Sequence, residues 1–263
     1  MEKYIIAAEP NSQQTGIEYH YNSTIEVSSQ EEAIKIAKDL FGDRILSFNK
    51  VYDSKDATEC INNPEYKLSN FSWDEIKSIV KNGKYLFKYG DSKYIELSNG
   101  EIHEAVLVHY ENRRAIFQFK DALSEEYPMN DECTNKGGWK KSKMANEIMP
   151  MIFNMLPKDL QSEIEQINID GIDCHLFLPS EKEIFGKRIR GIDDDSKQFE
   201  YYKDIRNIHK IIKSDSVTGY CDAWCWTRTP YSGDTYGFML WLGSSYNGNY
   251  ASNNYAVAPC FAI

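Results

Sequence analysis

From Cys221 to Ile263 the chain carries no lysine and no glutamate, and its only charges are Asp222, Arg228 and Asp234. Tryptophan, tyrosine, asparagine, serine and glycine crowd the same stretch. A segment this poor in charge is not a solvated tail; it has to be core strands or a surface made for contact. Rigid aromatic side chains mixed with short polar ones are the composition of a recognition face. Alternating aromatics in strands divide between core and surface, so Trp224 and Trp226 are expected on one buried face and the tail tyrosines exposed. The candidate ligand-binding residues are Tyr231, Tyr246, Asn247, Asn249, Tyr250, Asn253, Asn254 and Tyr255. Tyr246-Asn247-Gly248-Asn249 reads as a hairpin tip. The competing reading of the run from Ser244 to Tyr255 is a polar hairpin in which Asn and Gly only make turns.

The 263 residues, 41% of them hydrophobic, suffice for one large or two ordinary domains with a real core. A formal net charge of -10 repels phosphate backbones and anionic lipid, so neither nucleic acid nor membrane insertion is expected. No apolar run reaches the roughly 18 residues of a membrane span, and the stretch Met1 to Glu9 is too short and acidic for a signal peptide. Without export the six cysteines, Cys60, Cys133, Cys174, Cys221, Cys225 and Cys260, are expected to be reduced.

Two organisations follow one another along the chain. Tyr4 to Ala8 and Thr24 to Val27 read as strands, the polar residues Asn11 to Gly16 connecting them. Ser29-Gln30-Glu31-Glu32 is a capping box opening an amphipathic helix that Gly42 stops. Phe48, Val51 and Tyr52 suggest another strand, and the polar run from Asp53 to Asn70, with Pro64, reads as a linker. The expected division is therefore a small α+β module over residues 1–70 and a second domain over 71–263.

Ser72-Trp73-Asp74-Glu75 is a second capping box, with Ile76, Ile79 and Val80 inward and Gly83 at the helix end. Tyr94 to Leu97, Ala105 to Tyr110 and Ala115 to Phe119 read as an antiparallel meander with Asn99-Gly100 at a turn. Met144, Ile148, Met151, Ile152, Met155 and Leu156 mark a main helix kinked at Pro150, and Pro157 opens a further helix over Leu160, Ile164 and Ile167. Leu176-Phe177-Leu178 is a buried strand, and Ser180 to Glu183 caps one helical turn ending at Gly186. The charged segment from Lys187 to Ser216 reads as surface loop and short helix.

Chemistry-bearing residues are scattered. Asp193-Asp194-Asp195 offers carboxylates to a hard cation, but lacks the spacing of a calcium loop and its distal Glu, which favours a solvated acidic loop. Cys221 and Cys225, with Cys260 and His209, offer thiolate and imidazole to zinc, but no second tight pair accompanies them and packing cysteines are favoured. His20, His103, His109, His175 and His209 fall in no triad pattern, and Gly137-Gly138 before Trp139 reads as a turn with a core tryptophan. Glu9-Pro10-Asn11 matches a sugar-binding tripeptide of calcium-dependent lectins, but without the Trp-Asn-Asp strand that gives it function. No catalytic residue, no metal site and no cofactor is expected.

Ser72-Trp73-Asp74-Glu75-Ile76, Gly90-Asp91, Asn99-Gly100, Gly137-Gly138-Trp139 and Leu156-Pro157 stand in a recognisable order. Leu176-Phe177-Leu178-Pro179-Ser180, Glu183-Ile184-Phe185-Gly186, Trp226-Thr227-Arg228-Thr229-Pro230 and Val257-Ala258-Pro259 continue it. With these landmarks the chain resembles, over about residues 72 to 263, an uncharacterised bacterial and phage domain family of the C-type-lectin-like group. The resemblance implies a twisted antiparallel sheet with flanking helices, whose last strands display variable residues. It implies a non-enzymatic protein akin to phage receptor-binding and retroelement-diversified display proteins, binding a protein or glycan independently of calcium. Residues 1–70 lie outside the resemblance; their expected use is virion attachment or a homo-oligomer contact, and the expected location is virion or cytoplasm. Two departures stand out: Ala258 replaces the arginine of the family's Val-Arg-Pro, and Cys225 interrupts the tryptophan run. The alternatives are an enzyme of the formylglycine-generating branch of the fold group, using the cysteines without its surrounding motif, and a purely structural virion component.

Overall fold

A computed structural model describes residues 2–8, 21–27, 32, 35–36, 38–39, 45–51, 67–208, 212–215, 219–242 and 245–263. The chain divides into two compact units, Met1–Pro64 and Glu65–Ile263. Both are built on antiparallel sheets with few helices, an α+β organisation. Among the described residues no helix is long and apolar enough to cross a membrane.

In the first unit β1 (Glu2–Ala8) lies between β2 (Tyr21–Val27) and β3 (Ile45–Val51), antiparallel to both. The uncharged run Tyr4 to Ala8 suits this central place, since a strand paired on both edges needs no charge to keep other chains off. Residues 32, 35–36 and 38–39 are helical, within the stretch that the first capping box opens. Glu9-Pro10-Asn11, the polar connection 11–16, Ser29, Gly42, Tyr52, Cys60, Pro64 and His209 lie outside the described residues, as do His20 and Ser244.

The second unit is organised on a five-stranded antiparallel sheet. Its strands are β4 (Ser92–Glu96), β5 (Ile102–Glu111), β6 (Arg114–Phe119), β9 (Leu176–Phe177) and β15 (Cys260–Ala262), in the order β4-β5-β6-β15-β9. The β5–β6 turn is the pair Asn112-Arg113, both left-handed (φ 49° and 59°), which matches the twist of a two-residue hairpin and fixes Glu111 opposite Arg114. Gly100 (φ 88°) serves the β4–β5 turn. Helix α1 (Trp73–Lys81) starts at the Ser72/Glu75 capping box and lays Trp73, Ile76 and Val80 on the sheet, the Trp73 ring meeting Phe117 and Phe261 edge-on at 5.5 and 5.8 Å. Leu68, expected in the linker, is buried in this core.

The main helix departs from its expected form. It is a 3-10 turn (Trp139–Lys141), a π turn (Met144–Ile148) and only then α2 (Met149–Met155). Pro150 supplies the reason: it has no N–H, and in an α-helix its ring would meet the carbonyl of Asn146, which the wider turn relieves. After α3 (Lys158–Glu163), Ile167 lies in strand β7 (Ile167–Ile169) and not on the helix. Asp170-Gly171, at φ 51° and 84°, reverses the chain into β8 (Ile172–Cys174). The charged segment carries α5 (Glu200–Lys203) and, unexpectedly, strand β10 (Ile212–Asp215), paired with β11 (Gly219–Asp222).

A second sheet, β12 (Cys225–Pro230), β13 (Gly237–Leu242) and β14 (Ser245–Tyr250), completes the unit. Here the sequence expectation is corrected: Tyr246-Asn247-Gly248-Asn249 is no hairpin tip but the interior of β14, paired residue by residue with Trp241 to Phe238. The apolar β13 is satisfied by a partner on each side, and Gly248 serves close packing instead of a turn: a Cβ there would stand 2.8 Å from the Tyr231 ring.

Candidate functional site

The tail sheet rests on buried groups. Trp226 and Trp241 are fully buried, Trp226 donating Nε1–H to the Tyr127 carbonyl (2.9 Å). Trp224 is half-buried, packed against the same core. Arg228 on β12 is buried too, its guanidinium donating to both Glu183 carboxylate oxygens (2.5 and 2.8 Å), the Leu178 carbonyl (2.9 Å) and Asp170 (3.0 Å). This one side chain ties β12 to the β7–β8 turn and to α4 (Glu181–Phe185), whose N-terminal capping box contains Glu183. Burial would lower the guanidinium's pKa, but the facing Glu183 and Asp170 carboxylates outweigh it and push the pKa up. The landmark runs around Glu183 and Arg228 therefore meet in a structural ion pair.

Beside it, the buried Glu181 carboxylate accepts three backbone N–H groups, from Ile189 (3.0 Å), Arg190 (3.0 Å) and Gly191 (2.9 Å). Gly191 is required, because a Cβ would stand 2.2 Å from the Thr229 methyl and 2.9 Å from Glu181. The clamped loop sets the Arg190 guanidinium over the Tyr246 ring, 5.9 Å from its centroid. Phe185 meets the same ring edge-on at 6.0 Å. Sequence reasoning missed Arg190 and Glu181; the glycine after Arg190 was the one local signal of close packing there.

Strand alternation sorts the eight candidate residues into two groups. Tyr246, Gly248 and Tyr250 share one side of β14, and the Tyr231 ring lies against Gly248 between them. Tyr246 and Tyr250 are 39% and 54% exposed, and Tyr231 is half-buried. Asn247 and Asn249 point the other way. Asn249 is half-buried and engaged throughout: its Oδ1 accepts from the Tyr250 N–H (2.8 Å) and from Asn253 Nδ2 (3.0 Å), and its Nδ2 donates to the Tyr255 hydroxyl. Tyr255 stands edge-on to Trp226 at 5.0 Å, so it is a half-buried wall and not an exposed anchor. Asn247 accepts from the Gly248 N–H (2.9 Å) and is exposed, as are Asn253 and Asn254. The two asparagines thus occupy N–H groups along β14, which is one way an edge strand is blunted.

Other candidate groups are occupied by local structure. Lys182 reaches Asp193 (3.4 Å) and the Asp194 carbonyl (2.6 Å), and the Asp194 carboxylate takes the Ser196 N–H (2.8 Å). Among the described residues no group of three or more His, Cys, Asp or Glu side chains is placed to hold a metal ion. Cys133, Cys174 and Cys260 are free thiols; the Cys221 side chain lies outside the described residues. Burial pushes the Cys174 thiol up to about 11, and pushes Cys260 well above its ordinary value, so both stay protonated at neutral pH.

The unit is thus an antiparallel α+β domain with an aromatic-faced second sheet. The chain belongs to the family described as Domain of unknown function (DUF6273), whose model matches residues 113–263. No curated protein and no solved structure matches it.

Proposed function

We propose that the Glu65–Ile263 unit is a non-enzymatic ligand-binding domain of C-type-lectin-like architecture. It recognises a protein or glycan through Tyr231, Tyr246 and Tyr250 with Arg190. The observation that carries this reading is exposure joined to a firm base: the exposed Tyr246 and Tyr250 rings stand on a strand paired with the almost wholly buried β13, beside a loop held by the Glu181 carboxylate. Rings held in place lose little freedom on binding, which is what favours aromatic anchors at interfaces. Protonated buried thiols and an acidic loop bound to Lys182 weigh against the cysteine enzyme. The resemblance supports a virion or display role, and residues 1–70, which lie outside it, serve in this reading as attachment or oligomer segment.

The test is an array of glycans and cell-surface proteins probed with the full chain and with a Tyr231→Ala/Tyr246→Ala/Tyr250→Ala variant. A retained ligand should lose about 2 kcal/mol or more of binding in the variant. Unchanged affinity in a folded triple variant defeats the assignment of the face.

A further inference from the structure

Away from the tail sheet, and wholly before the first residue of the family match, three tyrosine rings line an open cavity. Tyr110, near the end of β5, packs against Tyr85 at 4.7 Å and against Tyr89 at 5.7 Å between ring centroids, both tilted by about half a right angle. Tyr110 is half-buried, while Tyr85 and Tyr89 are 52% and 43% exposed. The cavity has a volume of about 570 Å³, and Lys88, Glu111 and Asn112 line it with the rings.

The loop that presents the rings is stitched down. Gly90 N–H donates to the Leu107 carbonyl (2.9 Å), and Leu107 N–H donates back to Asp91 (2.8 Å). The Asp91 carboxylate takes the Lys88 N–H (2.8 Å), and the Tyr110 hydroxyl donates to the Phe87 carbonyl (3.1 Å). Phe87 itself is buried, edge-on to Phe71 at 5.3 Å. These contacts fix the loop that carries both exposed rings, although neither ring contributes to the core cluster.

We propose that this cavity is a carbohydrate subsite, separate from the tail face, for a neutral oligosaccharide of two or three sugar units. The apolar faces of the rings suit the C–H faces of a pyranose, and the flanking ammonium, carboxylate and carboxamide suit its hydroxyls. The charges decide against the other occupant of aromatic cages, a quaternary ammonium. Lys88 and Glu111 give the lining one charge of each sign, and Glu200, whose charge also acts on Tyr89, is paired with Lys203 (2.5 Å). A cage for a cation carries an excess of carboxylate among its lining groups; the groups that line this cavity carry none. The volume falls in the range of small-ligand sites, far above what one methylated ammonium fills.

The test is an amide-resolved NMR titration of the full chain with cellotriose, maltotriose, chitotriose and, separately, tetramethylammonium. The expected result is saturable shifts at residues 85–91 and 110–112 with at least one trisaccharide. They should weaken about tenfold or more in Tyr85→Ala/Tyr89→Ala, and persist in Tyr246→Ala/Tyr250→Ala. The same spectra report whether each variant is folded, and Tyr85→Leu/Tyr89→Leu is the second variant should the first be perturbed. No shift at these residues with any trisaccharide, shifts with tetramethylammonium alone, or shifts indifferent to loss of both rings would overturn the proposal. Persistence in the tail-face variant keeps this outcome distinct from that of the face proposed above.

Discussion

Arg228 and Glu183 are both buried and bonded through two parallel hydrogen bonds, an arrangement whose cost appears only when one partner goes. Replacing Arg228 by Met would leave the buried Glu183 charge without its cation and the Leu178 carbonyl without its donor. The expected loss is about 3–5 kcal/mol in chemical denaturation, and replacing Glu183 as well, by Leu, should recover most of it. The face residues should behave differently. Tyr250→Ala removes an exposed ring and should shift stability by within about 0.5 kcal/mol. Asn249→Ala removes the donor to the half-buried Tyr255 hydroxyl and the acceptor of the Tyr250 N–H, and should cost roughly 0.5–1.5 kcal/mol. Equal stabilities for these two variants would contradict the division of β14 into an exposed aromatic side and a bonded asparagine side. That division was legible in the sequence only in part. Composition marked the tail as a contact surface, but Asn-Gly is the strongest short hairpin signal, and it hid the strand parity that separates Tyr246 and Tyr250 from Asn247 and Asn249.

Helix α5 shows how an element can be held by a titratable group. His109 on β5 stacks on Phe199 at 5.5 Å, and its Nδ1 accepts the Glu200 N–H at the start of α5 (3.4 Å), which requires the neutral ring. Burial lowers the imidazole pKa; the carboxylates of Glu111, Glu200 and Glu183 oppose the shift, and Lys203 adds to it. Because the folded value lies below the unfolded one, the unfolded chain takes up the proton first. This contribution to stability is therefore present above about pH 6.5 and is lost as the pH falls through the folded value. A His109→Gln variant should show a flatter fall in denaturation midpoint over that window, with the imidazole of the parent titrating below about 6.5 by NMR. A parent His109 that titrates above that value would refute the account. Elements with local signals, α1, α4 and the β4–β6 meander, could be read from capping boxes, the Asn99-Gly100 turn and short apolar runs. Strand β10 and the π turn could not: one sits in a charge-rich segment, and the other answers a proline clash that appears only once the helix is built.

The family match begins at Arg113, inside the β5–β6 turn, whereas the compact unit begins at Glu65. The two boundaries make opposite predictions about what folds alone. Cutting at Arg113 removes α1, β4 and β5, and with them Trp73, Ile76, Val80, Ile95, Ala105 and Leu107 from a single buried cluster. It would also expose one edge of β6, a strand buried along nearly its whole length and now without the ladder that pairs Ala105 to Glu111 with it. An apolar strand with an unpaired edge is a site of aggregation. Losing the Trp73 ring alone, which packs on Phe117 and Phe261, is expected to cost roughly 3–5 kcal/mol, a large part of the 5–15 kcal/mol typical of a whole domain. A chain of residues 65–263 should therefore express as a folded protein with a cooperative thermal transition and a dispersed NMR spectrum. A chain of residues 113–263 should be insoluble or lack near-ultraviolet circular dichroism. If the shorter chain folds cooperatively, α1 and the first two strands of the sheet are accessories to a smaller core, and the tyrosine cavity on β5 belongs to an appendage instead of the domain itself.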